Sequence, residues 1–167
     1  RHWDHYVESI LHPFVAKVNG NSVDEGRDIM QDEPYECPVA PFGGIEQLSW
    51  GPDSKIIAYT SRKREGVAYA NSTDTDIYLY DLTTGKTRNI CKQFMSDSQR
   101  QAWEAALKNV DFTKSLRHQK VNSEEFQNLH PGYDVNPQFS PDGKYIAWLS
   151  MARDGYESDL NRLCIMD

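Results

Sequence analysis

The run RDGYESD, residues 153–159, places four charged side chains around one tyrosine. Glu157, Asp154 or Asp159 could accept hydrogen bonds from the ammonium group of a ligand. Arg153 could bind a carboxylate or orient one of the acids. The same composition, an Asp-Gly turn with flanking charges, is also typical of a solvated hairpin loop. These four side chains are the candidate substrate-binding residues of the chain, with Glu157 first and Arg153 second.

The sequence carries no pattern of a catalytic nucleophile. A serine hydrolase of the α/β type needs G-x-S-x-G between a strand and a helix, and no such pentapeptide occurs. No serine, histidine and aspartate stand in the context that a catalytic triad requires. We therefore expect no catalytic residue in this chain.

Histidine and cysteine spacing argues against a metal site. His2 and His5 lie in HWDHY, which reads as a strand and would send them to opposite faces. Cys37, Cys91 and Cys164 are widely spaced and form no CxxC, so structural zinc is not expected and buried free thiols are. We expect neither a metal nor another cofactor.

Charge and hydropathy exclude two classes of partner. The net charge is −7 and the pI about 5.2, which disfavours nucleic acid because phosphate binding needs clustered Lys and Arg. No apolar run approaches the roughly 18 residues of a membrane-spanning helix. One short basic cluster, RKREG at residues 62–66, is expected to be a solvated hairpin loop and a poor binder of amines. A contact with a peptide carboxylate is the alternative.

Two copies of one phrase indicate the elements that must position these side chains. LSWGPDSKIIAYTSRK (48–63) and PQFSPDGKYIAWLSMAR (137–153) agree at a constant offset. GPDSK and SPDGK are typical of tight turns, because proline presets φ, aspartate bonds nearby backbone and Gly143 tolerates positive φ. The β-branched and aromatic runs that follow predict strands. Each copy is therefore a predicted β-hairpin.

The stretches around these hairpins extend them into four-stranded units. DIYLYDLTTGKTRNI (76–90) predicts two further strands, NRLCIMD (161–167) begins the same phrase, and 12–30 resembles an earlier copy with a longer polar turn. Four strands per unit predict a β-propeller blade. The prediction is an all-β partial propeller of two to three blades, divided into a partial first blade (1–45), a complete blade (46–90) and an incomplete blade (136–167). A small open β-sandwich is the alternative. Two to three blades cannot close a ring, so we expect a piece of a larger protein.

An insertion at 91–135 interrupts the repeat. SDSQRQAWEAALKNV, residues 96–110, predicts a helix in which Ser96 is the N-cap and Gln99 occupies the capping-box position. Insertions of this length often carry function, and the simpler interpretation is a helix that covers a blade edge.

Several motifs together resemble a known family. RHWDHYVES, HPFVAKV, the SPDGKYIAW hairpins and above all SMARDGYESDLNRLCIMD resemble the N-terminal propeller of the prolyl oligopeptidase superfamily. The similarity is to dipeptidyl-peptidase and acylaminoacyl-peptidase-like serine peptidases of Bacteroides-type bacteria, over nearly the whole chain except the insertion. It implies a propeller above a C-terminal α/β-hydrolase domain with the Ser-Asp-His triad, and peptide ends held by acidic propeller loops. It also implies a periplasmic or exported location.

Two functions follow as expectations. In the first, the chain gates access to a separate hydrolase domain of the same protein and helps to bind short peptides. In the second, it belongs to a Tol-like scaffold propeller that binds other proteins without an attached enzyme. In either case open blade edges could pair with a second copy.

Overall fold

The first element of the fold is a long hairpin. The computed structural model describes residues 8–91, 98, 101, 105, 132–151, 155 and 159–167. Strand β1 (Phe14–Val15) pairs antiparallel with β4 (Arg27–Asp28), and β2 (Val18–Asn19) pairs antiparallel with β3 (Ser22–Val23). Gly20 lies between β2 and β3 at a φ of +61°, a conformation that glycine adopts at low cost. The hairpin occupies the stretch in which an earlier copy of the repeat was predicted.

A four-stranded antiparallel sheet follows, with its strands in sequence order. A single 3-10 turn (Ile45–Gln47) leads into β5 (Leu48–Trp50), and β6 (Ile56–Ser61) comes next. A short helix α1 (Gly66–Asn71) lies between β6 and β7 (Asp76–Asp81), and β8 (Lys86–Asn89) ends the sheet. The order β5-β6-β7-β8 is the meander of a propeller blade.

A second sheet repeats three of these strands. Its order is β9-β10-β11, with β9 (Tyr133–Phe139), β10 (Ile146–Met151) and β11 (Arg162–Met166) all antiparallel. The prediction of an all-β partial propeller is confirmed by these sheets. Of the predicted helix 96–110, Ser98, Gln101 and Ala105 are helical, and the rest lies outside the described residues. No helix in the described part of the chain is long and apolar enough to cross a membrane.

The repeat seen in the sequence is also a repeat of strand register. Trp50 pairs with Ile57 in the first sheet, and Phe139 pairs with Ile146 in the second. The two sheets diverge at Asn136, whose φ is +57°, because the register of β9 shifts there. Such a bulge bends a strand and increases its twist.

The two predicted turns form with the same local hydrogen bonds. Asp53 Oδ1 accepts a bond from the Lys55 amide, and Asp142 Oδ1 accepts one from the Lys144 amide. The residue between them has positive φ in both copies, +57° at Ser54 and +70° at Gly143. Glycine adopts this conformation freely, whereas serine is strained in it.

The β5–β8 sheet is buried on both faces. On one face an apolar cluster joins it to the segment after the first hairpin: Ile29, Met30, Cys37, Ile57, Tyr59, Tyr78 and Tyr80. On the other face a second cluster joins it to the β9–β11 sheet: Ala58, Ile77, Leu79, Ile90, Ile146 and Trp148. Successive residues of a strand point to opposite faces, so neighbours in β6 and β7 serve different clusters. This sheet is therefore stacked between its neighbours as a blade is.

Candidate functional site

Two connecting loops meet at one end of the stacked sheets. The β6–β7 connection (62–75) and the β10–β11 connection (152–161) both join the second strand of a sheet to the third. The Gly155 amide donates a hydrogen bond of 2.8 Å to Thr73 Oγ1, so the loops contact each other directly. This end carries Gly155 and Asp159 of the sequence-predicted binding run and is the candidate site.

Of the predicted binding residues, Asp159 is described. It is partly buried, and its Oδ1 accepts a 3.0 Å bond from the Leu160 amide. Arg153, Asp154 and Glu157 lie outside the described residues, so their role stays a prediction. His2 and His5 lie outside them as well.

Lys63 and Arg64 of the basic cluster are partly buried in ion pairs, so the expectation of a solvated loop is wrong for these two side chains. Lys63 Nζ donates a 2.6 Å bond to Glu33 Oε1, lies 4.2 Å from the centre of the Tyr78 ring, and its side chain is 18% exposed. Arg64 pairs with Asp74, whose side chain is 1% exposed. The reason lies in the tertiary structure, because Glu33 comes from the segment after the first hairpin and Asp74 from the far end of the same loop. Carboxylates shielded from water in this way are stabilised by nearby cations.

Arg62 and Glu36 extend this cluster into the helix α1. The Arg62 guanidinium donates to the Ser72 carbonyl at 3.0 Å and lies 4.3 Å from the centre of the Tyr69 ring. Tyr69 in turn donates its hydroxyl to Glu36, which also accepts a bond from the Ala40 amide at 3.0 Å. Burial, and then the bond to Glu36, raise the pKa of Tyr69 to about 12.

These contacts decide which acids can meet a ligand. Glu33 and Asp74 are matched by Lys63 and Arg64, and the buried Glu36 accepts bonds from the protein itself. A carboxylate that already pairs with a cation gains little binding energy from the ammonium group of a ligand. Among the acids described at this end, these three hold the loop in place and are poorly suited to bind a ligand's ammonium group.

Residues 72–75, here called the clasp, join the two sheets. Thr75 Oγ1 donates to the Asp134 carbonyl at 2.8 Å, and the Asp134 amide donates to the Thr75 carbonyl at 3.1 Å. Thr75 and Tyr133 also form a parallel bridge. The clasp therefore joins the start of β9 through Thr75, and the Thr73 hydroxyl contacts the β10–β11 connection of the same sheet at Gly155.

A buried carboxyl and thiol cluster lies beside the clasp, and sequence reasoning missed it. Ligand atoms of Asp76, Cys91 and Asp134 all lie within 4.8 Å of one another. The Trp148 indole donates to Asp134 Oδ1 at 2.8 Å, and the Ile77 amide donates to Cys91 Sγ at 3.3 Å. Asp76 begins β7, Cys91 follows β8 and Asp134 lies in β9. No sequence motif joins residues that are so far apart in the chain.

Burial of this cluster favours the protonated forms of Asp134 and Cys91. Burial is the main reason that the pKa of Asp134 is raised to about 6. Hydrogen bonds from Ser150 and Trp148 lower this pKa, and the charge of Asp76 raises it. Burial, followed by the charges of Asp134 and Asp76, raises the pKa of the Cys91 thiol far above its usual value. Carboxylates and a thiolate can ligate a metal, and metal binding at this cluster would release the thiol proton.

Comparison with known proteins gives similarity along the whole chain. A protein of Porphyromonas gingivalis named dipeptidyl-peptidase 5 is 45% identical over 167 residues, 100% of this chain. Proteins of the same name are 39% identical over 166 residues in Porphyromonas endodontalis and 30% identical over 169 residues in the fungus Trichophyton schoenleinii. The similarity of the chain to dipeptidyl-peptidases is therefore confirmed. It is broader than the motifs indicated, because the first alignment includes the 91–135 insertion.

The chain spans 19% of the length of each of these relatives. No protein-family model matches the sequence. Among solved structures, a protein described as TolB from Agrobacterium tumefaciens aligns with 75% of this chain and 25% of its own, at 16% identity and a TM-score of 0.33. That score is too low to define a fold, which here rests on the order and stacking of the sheets.

Proposed function

We propose that this chain is a propeller segment of a larger dipeptidyl peptidase, in which it narrows access to a separate catalytic domain and helps to bind short peptides. The observation that carries the proposal is the 45% identity to a dipeptidyl-peptidase 5 over 100% of the chain. We expect the catalytic nucleophile outside this chain, because its sequence contains no G-x-S-x-G pentapeptide. Acyl transfer to an activated serine, with an oxyanion hole, would take place in an α/β-hydrolase domain elsewhere in the protein.

The binding role falls to the 153–159 loop. A dipeptidyl peptidase must hold a free peptide amino group, and a carboxylate without a competing cation binds an ammonium group best. Glu33 and Asp74 are paired with basic side chains, and the family resemblance favours the acids of the 153–159 run as the candidates. Glu157 is the first of these, and Arg153 would orient it or bind a peptide carboxylate.

The test uses the full-length protein that contains this segment. Incubation with a fluorophosphonate probe reports an activated serine, and chromogenic dipeptide and acyl-amino-acid substrates report turnover. We expect labelling and turnover of dipeptide substrates. Glu157→Gln should raise KM at unchanged kcat, because the lost interaction forms on binding. Glu25→Gln, which changes an exposed glutamate between β3 and β4 of the first hairpin, is the matched control and should leave KM unchanged.

Other outcomes would point elsewhere. A folded protein with neither labelling nor turnover would refute the peptidase function and favour the scaffold propeller. Turnover with an unchanged KM in Glu157→Gln would retain the enzyme but remove Glu157 from its binding site.

We also propose, on the same resemblance, that the full-length protein is periplasmic or exported. Fractionation of the native host into cytoplasm, periplasm and medium tests this directly. Recovery from the cytoplasm alone would contradict it.

A further inference from the structure

We propose that the outer face of the β9–β11 sheet, the face turned away from the β5–β8 sheet, is a docking surface for a third sheet of the full-length protein. Four side chains define the outer face: Ala147, Leu149, Leu163 and Ile165. The occupant is a sheet that repeats the β9–β11 sheet, as that sheet repeats the β5–β8 sheet. The inference rests on the propeller segment proposed above, and it does not depend on peptidase activity.

The strand β11 divides its side chains between the two sides of its sheet. Cys164 and Met166 pack against the apolar cluster that joins the two sheets. Leu163 and Ile165 alternate with them and therefore point to the opposite side. There they are 65% and 64% exposed. Large apolar side chains that are adjacent and exposed are typical of a surface that contacts another element.

The register of the first sheet identifies the residue that corresponds to Ile165. The repeated phrase aligns Ala58 with Ala147. Ala58 lies opposite Leu79 in the first sheet, and Ala147 lies opposite Ile165 in the second. Ile165 therefore occupies the position of Leu79, which is 5% exposed.

Leu163 has a buried counterpart by the same argument. The repeated phrase aligns Thr60 with Leu149. Thr60 lies opposite Ile77, and Leu149 lies opposite Leu163. Leu163 therefore occupies the position of Ile77, which is 0% exposed.

The second sheet is what covers Ile77 and Leu79. Both belong to the apolar cluster that also contains Ile146 and Trp148 of β10. Since the second sheet carries apolar residues at the same positions, continuity of the repeat predicts the same kind of cover. A third sheet would place the counterparts of Ile146 and Trp148, two large apolar side chains at alternating positions of one strand, on the outer face.

The turns stack in the same direction as the sheets. A Cβ atom on Gly143 would lie 3.0 Å from Pro52 Cγ, so the second turn packs closely on the first. Pro141 is the counterpart of Pro52 in the repeated phrase. We therefore expect Pro141 to contact the turn of the third sheet.

The length of the relatives favours a sheet of the same protein over a second copy. The chain spans 19% of the length of these relatives, so a full-length protein has enough residues for further sheets. A sheet within the same polypeptide also docks without the loss of translational and rotational freedom that the association of two molecules costs.

The first measurement is hydroxyl-radical footprinting of the full-length wild-type protein, both folded and unfolded in urea. The ratio of the two oxidation rates reports the exposure of each side chain, without any need for activity. Ile77 and Leu79 are the matched references for covered side chains, because they occupy the same positions in the first sheet.

We expect Leu163 and Ile165 to be protected as strongly as these two references. A fall of the exposed fraction from 65% to the 5% of Leu79 corresponds to a roughly tenfold slower oxidation, in proportion to the exposed area. Oxidation of Leu163 and Ile165 close to their rates in the unfolded protein would overturn the proposal, because the outer face would then meet solvent.

The second measurement identifies the occupant by cross-linking. Full-length protein that contains photo-leucine is mixed with heavy-isotope-labelled wild type and irradiated. Trypsin cleaves after Arg162, so the peptide that begins at Leu163 reports this position without Leu160. We expect cross-links from this peptide into the unlabelled chain, at a segment that repeats the phrase of a Pro-Asp turn followed by a strand.

Two other cross-linking results would overturn the proposal. Cross-links into the labelled chain would show that a second copy covers the outer face. Cross-links into a segment without the repeated phrase would show that a different part of the protein covers it.

The two proposals can fail separately. A full-length protein without serine labelling or turnover refutes the peptidase function, and the footprint still decides whether the outer face is covered. An outer face that meets solvent removes the third sheet and leaves the test of peptidase activity unaffected.

Discussion

Replacement of Asp134 by asparagine should stabilise the protein above about pH 6. Asp134 is 5% exposed, close to Asp76 and Cys91, and burial raises its pKa from 3.8 to about 6. A folded-state pKa above the unfolded value means that the folded state binds the proton more tightly. The stability that this proton contributes is present below about pH 4 and is lost as the pH rises through about 6.

The size of the effect follows from the shift. A rise from 3.8 to about 6 corresponds to about 3 kcal/mol at 1.36 kcal/mol per pH unit. Asparagine is neutral at every pH, and its amide oxygen can still accept the bond from the Trp148 indole. Asp134→Asn should therefore be more stable than the wild type by about 1 to 3 kcal/mol at pH 8. Its advantage should shrink toward zero between about pH 6 and about pH 4.

The assay is amide hydrogen exchange of the β9 strand in the full-length protein, measured from pH 4 to pH 8 and corrected for intrinsic exchange rates. It yields the free energy of opening of the strand that carries Asp134. Asp81→Asn is a control of opposite sign, because hydrogen bonds from the Thr84 and Thr83 amides lower the pKa of Asp81. That variant should lose protection of β7 above about pH 4, where the wild-type carboxylate is ionised. A loss of β9 protection in Asp134→Asn that is equal at pH 4 and pH 8 would refute the reasoning, since it would mean that Asp134 is ionised and stabilised in the folded protein.

Two further predictions concern a turn and an ion pair. Ser54→Gly should stabilise the protein by about 0.5 to 1 kcal/mol, because glycine removes the strain of a positive φ, as Gly143 does at the equivalent position. Urea unfolding measures the change in stability, and a loss of stability would contradict the prediction. Arg64→Met should cost about 3 to 5 kcal/mol, because it removes the cation beside the buried Asp74. Lys55→Met is the control, because Lys55 and Asp53 form an exposed pair with an N···O distance of 3.8 Å. In the same assay it should change the stability by less than about 1 kcal/mol. Equal effects of the two variants would show that burial of the pair does not cause the loss of stability.

The strands and turns could be predicted from the sequence because their causes are local. The Asp53 and Asp142 side chains bond amides two residues away, so each turn is complete within a few residues. The β-branched and aromatic residues of β6 and β7 predicted strands. Burial of both faces of these strands could not be predicted, because it depends on the sheets that pack on either side. The register shift at Asn136 had no signal in the repeat, because the second copy begins only at residue 137.

The sequence alone determined the all-β repeat, the two turns and the similarity to dipeptidyl-peptidases, because those depend on neighbouring residues and on motif identity. Only the tertiary structure decided the rest. It placed Lys63 against Glu33 and Arg64 against Asp74, brought Asp76, Cys91 and Asp134 together, and placed Thr73 against Gly155. The pair of Arg64 and Asp74 depends on how one loop folds back on itself. The other contacts join segments that are distant in the sequence, and their distances are set by the packing of those segments, which no local pattern of residues encodes.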